Sequence, residues 1–411
     1  MTQTHHTHAH QAQTLKTQTL KTQVAIIGGG PSGMLLSLLL SKEGIDNVVL
    51  ERSSRDHVLS RIRAGVLEWG SVELLRRAGV GARMDREGHV HNGTRVAWQG
   101  EHTMLIDSKK WTGKSFMAYG QSYVTEDLYA AVAEIDTRVL HDVSDVQLHE
   151  LTGSSHVTFV QDGGAQRLDC DFIAGCDGFH GVSRQAIPAS VQKNYEKVYP
   201  FGWLGVLSET PPLPDLWYVQ HERGFALASQ RSAMLSRYYV QCPISDRVED
   251  WSDERFWNEL IARFPPEIGS AIITGPSIEK SIAPLRSFVT EPMRYGALFL
   301  CGDAAHIVPP TGAKGLNLAL SDVYYLWRGL TQHYQQGSDT LLDRYSEVAL
   351  DRVWKTERFS WWMTSLLHVF PEQSSFDHRT QAAELNSILG SKHAQAWLAE
   401  QYAGFPIEDW G

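Results

Sequence analysis

The segment QVAIIGGGPSGMLLSLLLSKEGIDNVVLERSS, residues 23–54, constrains this chain more than any other. Gln23 to Ile27 are strand formers, and Gly28, Gly30 and Gly33 give a GxGxxG spacing before a run of helix formers. Each glycine has its own steric task. Gly28 permits a tight turn, Gly30 lets backbone approach a pyrophosphate, and Gly33 lets the helix pack on the strand. The helix start at Pro31-Ser32 offers free N–H groups and a positive dipole end to phosphate oxygens. A second strand, Asn47 to Leu50, ends in Glu51, where a carboxylate grips ribose hydroxyls and repels a 2′-phosphate. NAD or FAD fits this position and NADP does not.

Three further segments favour FAD. In SRIRAGVLEWG, Arg61 and Arg63 can neutralise a pyrophosphate that stays bound; the alternative is a pair of solvated surface arginines. FIAGCDGFHGVSR, with Asp177-Gly178, and LFLCGDAAH, with Gly302-Asp303, are apolar strands that run into acidic turns. A long dinucleotide threading past several strand ends needs such turns, although either one alone can be a plain turn. Asp303 and His306 invite a metal reading, but two ligands without a third make a poor site, so no metal is expected.

Composition narrows the rest. A chain of 411 residues allows ~2–3 structural units. Its formal net charge of −10 argues against a nucleic-acid backbone as partner. The four cysteines form no CxxC pair and no zinc spacing. The longest greasy run, Met34 to Leu40, is far too short to span a bilayer. Together these predict a reduced, cytoplasmic setting. Residues 1–22, with THHTHAH and the tandem TLKTQTLKTQ, are polar and low in complexity and read as a disordered extension. His5, His6, His8 and His10 there can bind a transition metal adventitiously.

Residues ~190–290 alternate like strands and are rich in aromatics. In GFALASQRS, Ser229 and Arg231 are two apart and share a strand face, as do Arg237, Tyr239 and Gln241 in SRYYVQ. A guanidinium fork with serine and tyrosine hydroxyls suits a planar carboxylate. On spacing alone, an ordinary strand pair with a surface arginine is an equal reading.

The glycine turn and the two acidic turns together resemble the single-component flavoprotein aromatic hydroxylases. The segments YGQSYVTEDL, YPFGWLG, VEDWSDERFW, EKSIAPLRSF, GDAAHIVPPTGAKGLNLA and ERFSWWMTS extend the resemblance, in order, from about Gln23 to the C-terminus. Within the family these motifs look like those of members acting on 4-hydroxybenzoate. The resemblance implies hydroxylation to 3,4-dihydroxybenzoate with O₂ through a C4a-hydroperoxyflavin, a tightly held non-covalent FAD, NADPH or NADH as cosubstrate, and a homodimer. It also implies an α/β chain with a Rossmann-like FAD-binding domain (23–93, 115–190 and 285–345). A β-rich substrate domain (94–114 and 191–284) and a helical C-terminal region (346–411) complete it.

Carried over residue by residue, the implied FAD contacts are Gly28, Gly30, Ser32, Gly33, Glu51, the run Arg61, Ile62, Arg63, Ala64, Gly65 and Val66, then Gln121, Asp177, Asp303, Leu316 and Asn317. Asp303 then holds a ribityl hydroxyl. The implied substrate contacts are Tyr218, Ser229, Gln230, Arg231, Tyr239 and the Pro310 carbonyl. Tyr402, Tyr218 and an outer His91 form a proton relay from the phenol, which is mostly neutral near pH 7. Arg61, His180, Arg184 and Arg286 are implied for NAD(P)H. Ser53 and His57 stand where the best-known members carry glutamine and tyrosine, which leaves the nicotinamide preference open; Arg52 and Arg55 favour NADPH electrostatically. The helix after Lys314 is expected to point its positive end at the flavin, with Leu316, Leu320, Val323 and Leu326 as its core face. Rival readings are a hydroxylase of another aromatic acid such as 4-aminobenzoate, an NAD-linked dehydrogenase, and a non-catalytic flavin-fold carrier.

Overall fold

The computed structural model describes residues 18–61, 65–135 and 137–410. Ile62, Arg63, Ala64 and the four N-terminal histidines lie outside them. Two eight-stranded sheets and one three-stranded sheet carry the architecture, with long helices packed at the C-terminal end.

The first sheet follows from the apolar strand of the glycine motif. Gln18–Ile27 sits at its centre, parallel to Asn47–Leu50 on one side and to Gly164–Gly175 on the other. Leu298–Leu300 then pairs in parallel with Ile173–Gly175. Strands buried on both faces read as continuous apolar runs, as Val24–Ile27 and Asn47–Leu50 do. The strand starts five residues earlier than Gln23. Gln18–Thr22, part of the repeat read as tail, pairs with Gln166–Cys170, so backbone pairing outweighs the polar composition there.

Pro31–Lys42 follows as a helix with proline at its first turn and seven buried apolar or glycine residues from Gly33 to Leu40 apart from Ser37. A Cβ added at Gly33 would lie 2.0 Å from the Gly28 carbonyl oxygen, so only glycine permits this helix–strand approach. Gly28 adopts φ +107°, a left-handed conformation natural to glycine.

The second sheet is largely antiparallel. Lys193–Ser208 pairs with Ser277–Glu291 and with Leu235–Pro243, which pairs with Ala226–Ser232. Thr94–Trp98 and His102–Ile106, far earlier in the chain, close its edge through Trp217–Gln220. The sheet therefore joins segments that a linear reading separates. Val66–Glu68, Phe116–Ala118 and His89–His91 form the small third sheet.

Gly315–Gln336 is a 22-residue helix, stopped by Gly337 at φ 67°, a left-handed cap. This stop lets the next helix, Thr340–Leu367, begin before residue 346, where the helical region was expected to start. Leu320, Val323 and Leu326 are fully buried on the core face. Leu316 is half-buried; it packs against the same core and also lines a cavity. Among the described residues no helix is long and apolar enough to cross a membrane.

Gly33→Ala should lower the unfolding free energy by about 1–3 kcal/mol through overpacking, read by denaturant titration. An unchanged midpoint contradicts the close approach.

Candidate active site

A cavity of about 560 Å³ runs from the glycine turn to the second sheet. At its nucleotide end it is lined by Gly28, Gly30, Ser32, Glu51, Arg61 and Gln121, with Val66, Asp177, Asp303 and Leu316 further along. Glu51 is buried at the end of its strand and accepts from the Gly29 amide at 2.7 Å and the Ser53 amide at 2.8 Å. Those two amides fix the carboxylate's orientation at the cavity wall. Asp177 takes the amide and hydroxyl of Ser183 on Oδ2, both at 2.9 Å, and its buried Oδ1 has no hydrogen-bond partner among the described residues. A Cβ at Gly30 would meet nothing within 4 Å. Open space over Gly30 and an unpartnered acceptor on Asp177 fit an elongated, hydroxyl-rich dinucleotide.

Three further residues of the implied FAD set have structural contacts of their own. Gly33 lies behind the turn, against Gly28, as its packing role requires. Gly65 presses on backbone: a Cβ there would lie 1.9 Å from the Tyr119 carbonyl. The Asn317 side chain is fully engaged, accepting from the Glu68 amide at 2.8 Å and donating to Val66 and Ala313 carbonyls at 2.9 Å. It ties the helix start to the Val66–Glu68 strand rather than lining the cavity.

Asp303 and His306 are not partners. His306 pairs with Asp322 at 2.7 Å, deep in the core, while Asp303 faces the cavity. Burial opposes a charge on His306, yet Asp322 outweighs it and raises its pKa. Among the described residues no group of three metal-ligating side chains occurs.

At the other end the cavity is lined by Ser229, Arg231, Tyr239, Tyr218 and Pro310. Gln230, between Ser229 and Arg231 on the same strand, is not among the residues that line the cavity. Burial lowers the pKa of Arg231, and Arg237 acts in the same direction. Among the described residues no carboxylate lies within ion-pairing distance of Arg231, whereas Arg237 is paired with Glu279 at 2.9 Å. Arg237 also donates to Ser281 at 3.1 Å and lies over the Tyr239 ring. Its place on the Tyr239 face was legible from spacing, but its role in holding that face was not. Trp203, Leu216, Leu227 and Ala283 wall the same end and read in sequence only as core.

Tyr218 and Tyr402 are both buried and their hydroxyls stand 3.3 Å apart. The Gly312 amide donates to the Tyr218 hydroxyl at 3.3 Å. Burial raises both phenols, and Tyr218 raises Tyr402 further. His91 is buried and stacks on Phe116, whose ring meets Tyr402 edge-on at 5.4 Å. Burial lowers the His91 pKa from its ordinary value. Lys314, at the helix start, donates to Glu68 at 2.8 Å and to the Tyr402 carbonyl at 2.7 Å.

The FAD binding domain family matches residues 21–360. A p-hydroxybenzoate hydroxylase from Acinetobacter baylyi is 55% identical over 387 residues, 94% of this chain and 96% of that protein. The chain belongs to the p-hydroxybenzoate hydroxylase family of FAD-dependent monooxygenases. A rifampicin monooxygenase from Streptomyces venezuelae is 26% identical over 335 residues, 78% of this chain and 67% of that one. The p-nitrophenol 4-monooxygenase of Pseudomonas putida DLL-E4 shares the fold, with a TM-score of 0.79 at 17% identity over 95% of this chain and 100% of that chain.

In this hydroxylase family member, three of the four residues expected for NAD(P)H gather around one ring. Arg184 and Arg286 lie over Phe179 at 4.6 and 4.7 Å, and the exposed His180 meets it edge-on at 5.0 Å. Arg61 stands apart, 3.2 Å from His57 through its guanidinium, on the cavity wall.

Behind the Gly302–Pro310 loop, burial pushes the Glu357 carboxyl up to about 7, against 4.5 when unfolded, while Ser287 and His306 oppose the shift. The folded chain therefore keeps this proton longer. Its stabilising contribution is complete below pH 4.5 and is lost as pH rises through 7, worth up to about 3 kcal/mol. Glu357→Gln should gain stability over the natural protein as pH rises from about 5 to about 8. Parallel stability curves in that window contradict the assignment.

Proposed function

We propose that this chain hydroxylates 4-hydroxybenzoate at the carbon next to the hydroxyl, giving 3,4-dihydroxybenzoate, with FAD, O₂ and NADPH or NADH. The observation that carries this reading is the pairing of ends on one cavity: a half-buried arginine, with no carboxylate in ion-pairing distance among the described residues, faces two linked phenols. Bound along the glycine turn, FAD supplies the electron transfer and oxygen activation. Gly28, Gly30, Ser32, Glu51, Asp177 and Asp303 hold it. Lys314 and the N-terminus of Gly315–Gln336 stabilise negative charge on the flavin side of the cavity.

The remaining work belongs to side chains around the substrate. Arg231, with Ser229 and Tyr239, binds the carboxylate as a fork and two hydroxyls. An incoming anion offsets the desolvation that burial imposes on Arg231. Tyr218 meets the phenolic oxygen, and the turn at Pro310, closed by the Ala313 amide, closes that end of the pocket. As the phenol gives up its proton, Tyr218 Oη accepts it and passes its own to Tyr402 Oη, with His91 as the outer acceptor. Phenolate character makes the ring an electron donor, and pinning both ends presents one carbon to the flavin. Apolar walls at Trp203, Leu216 and Leu227 keep water out.

The Phe179 cluster is the proposed docking point for NAD(P)H. Homodimerisation belongs to the same proposal, supported by exposed Trp354, Trp361, Phe376 and Trp397 on the C-terminal helices. So does a cytoplasmic setting, consistent with four free cysteines.

The test is a turnover assay with product identification. NAD(P)H oxidation stimulated by 4-hydroxybenzoate should yield one 3,4-dihydroxybenzoate per reductant. Consumption that yields only hydrogen peroxide assigns the pocket to another aromatic acid. Tyr218→Phe should leave flavin reduction near the natural rate and cut product formation by about 100-fold or more. An unchanged product yield removes Tyr218 from the relay.

A further inference from the structure

Two of the four thiols lie side by side on the cavity wall, and the reaction just described uses neither. Gly175 and Leu300 are register partners on neighbouring parallel strands, and the Cys301 amide donates to the Gly175 carbonyl at 2.9 Å. Cys176 and Cys301 are the residues that follow, each one past the end of its strand. Neighbouring strands lie about 5 Å apart, inside the Cα span a disulfide bridges. Both side chains line the cavity. Cys176 is half-buried, whereas Cys301 is fully buried and stands 3.3 Å from the Tyr345 hydroxyl. The remaining cysteines are separate and engaged: Cys170 donates to the Ser155 carbonyl and Cys242 to the Gly202 carbonyl.

We propose that Cys176 and Cys301 are a reversible dithiol–disulfide site, oxidised by hydrogen peroxide entering the dinucleotide cavity. Cys176, the accessible sulfur, attacks one peroxide oxygen. The O–O bond breaks, and a sulfenic acid and one water form. The Cys301 sulfur then attacks the sulfenic sulfur, closing the S–S bond and expelling a second water. Two thiols have lost two electrons and two protons, and one peroxide has become two waters. The link joins the residue preceding Asp177 to the strand end preceding Gly302-Asp303, so it fixes two acidic turns of the FAD cavity relative to each other.

Two properties follow from the surroundings. Hydrogen bonding with Cys301, together with burial and the Asp177 and Asp322 carboxylates, holds the Cys176 thiol well above the ordinary cysteine range. The reactive form is the thiolate, so oxidation is slow at neutral pH and accelerates as pH rises. FAD bound along the cavity covers both sulfurs, so the site reacts most readily when flavin is scarce.

The experiment treats the purified holoenzyme with hydrogen peroxide, with and without excess FAD. Thiols are counted after denaturation, and cross-linked peptides are mapped by mass spectrometry before and after dithiothreitol. The natural protein is expected to fall from four thiols to two, with a Cys176–Cys301 peptide pair that dithiothreitol releases and excess FAD delays severalfold. Cys301→Ala, lacking the resolving sulfur, is expected to carry Cys176 on to sulfinic acid, which dithiothreitol does not reverse. Four surviving thiols, a cross-link through Cys170 or Cys242, irreversible oxidation of Cys176 in the natural protein, or a rate indifferent to FAD overturns the proposal. The peptide map on the natural protein decides the matter even if the variant fails to fold, and no outcome depends on the substrate.

Discussion

Asp322 accepts a hydrogen bond from the Gly302 amide at 2.8 Å and pairs with His306 at 2.7 Å, wholly inside the protein. Between those two anchors runs the turn that carries Asp303 to the flavin side of the cavity. Four residues beyond His306 comes Pro310, and then the start of the Gly315–Gln336 helix, in which Asp322 itself sits. The helix thus grips the loop that precedes it. Breaking a buried pair by removing one partner costs about 3–5 kcal/mol, so this loop has little freedom to drift. A second knot lies at the helix start, where Glu68 receives Lys314 at 2.8 Å and Arg352 at 3.2 Å. Both ends of the cavity inherit their geometry from these buried charges.

That geometry explains why one cavity can hold an elongated dinucleotide and orient a small acid at its far end. The first sheet supplies parallel strand ends with acidic turns, and the second supplies a strand face with alternating polar side chains. A guanidinium and two phenols occupy opposite ends of the acid pocket. Arg237 is paired with Glu279 at 2.9 Å, whereas among the described residues Arg231 has no carboxylate in ion-pairing distance.

Local motifs were readable before any coordinates, because their chemistry is set by neighbours in the chain. The GxGxxG turn, Glu51 at a strand end, and the shared face of Ser229 and Arg231 all depend on separations of a few residues. The Asn317 side chain shows what spacing does not encode: it is engaged by backbone groups of residues 66, 68 and 313. The sequence reading set aside a pairing of Asp303 with His306 but did not name the partner of His306, Asp322, which helical geometry delivers sixteen residues later. The Tyr218–Tyr402 contact spans 184 residues and the Lys314–Glu68 contact 246, and no local pattern encodes either. Only the family resemblance pointed to the tyrosines. The paired cysteines were invisible for the same reason, since their adjacency exists only in the sheet register.

The central claim is that a half-buried Arg231, which has no carboxylate in ion-pairing distance among the described residues, selects a carboxylate at one end of an aromatic ligand. Titration of flavin fluorescence with 4-hydroxybenzoate and with its neutral amide, on the natural protein and on Arg231→Lys, tests this most directly. The account predicts that the acid binds the natural protein about 30-fold or more tightly than the amide, and that Arg231→Lys erases most of that preference. Equal binding of acid and amide by the natural protein, or an undiminished preference in the variant, would contradict it.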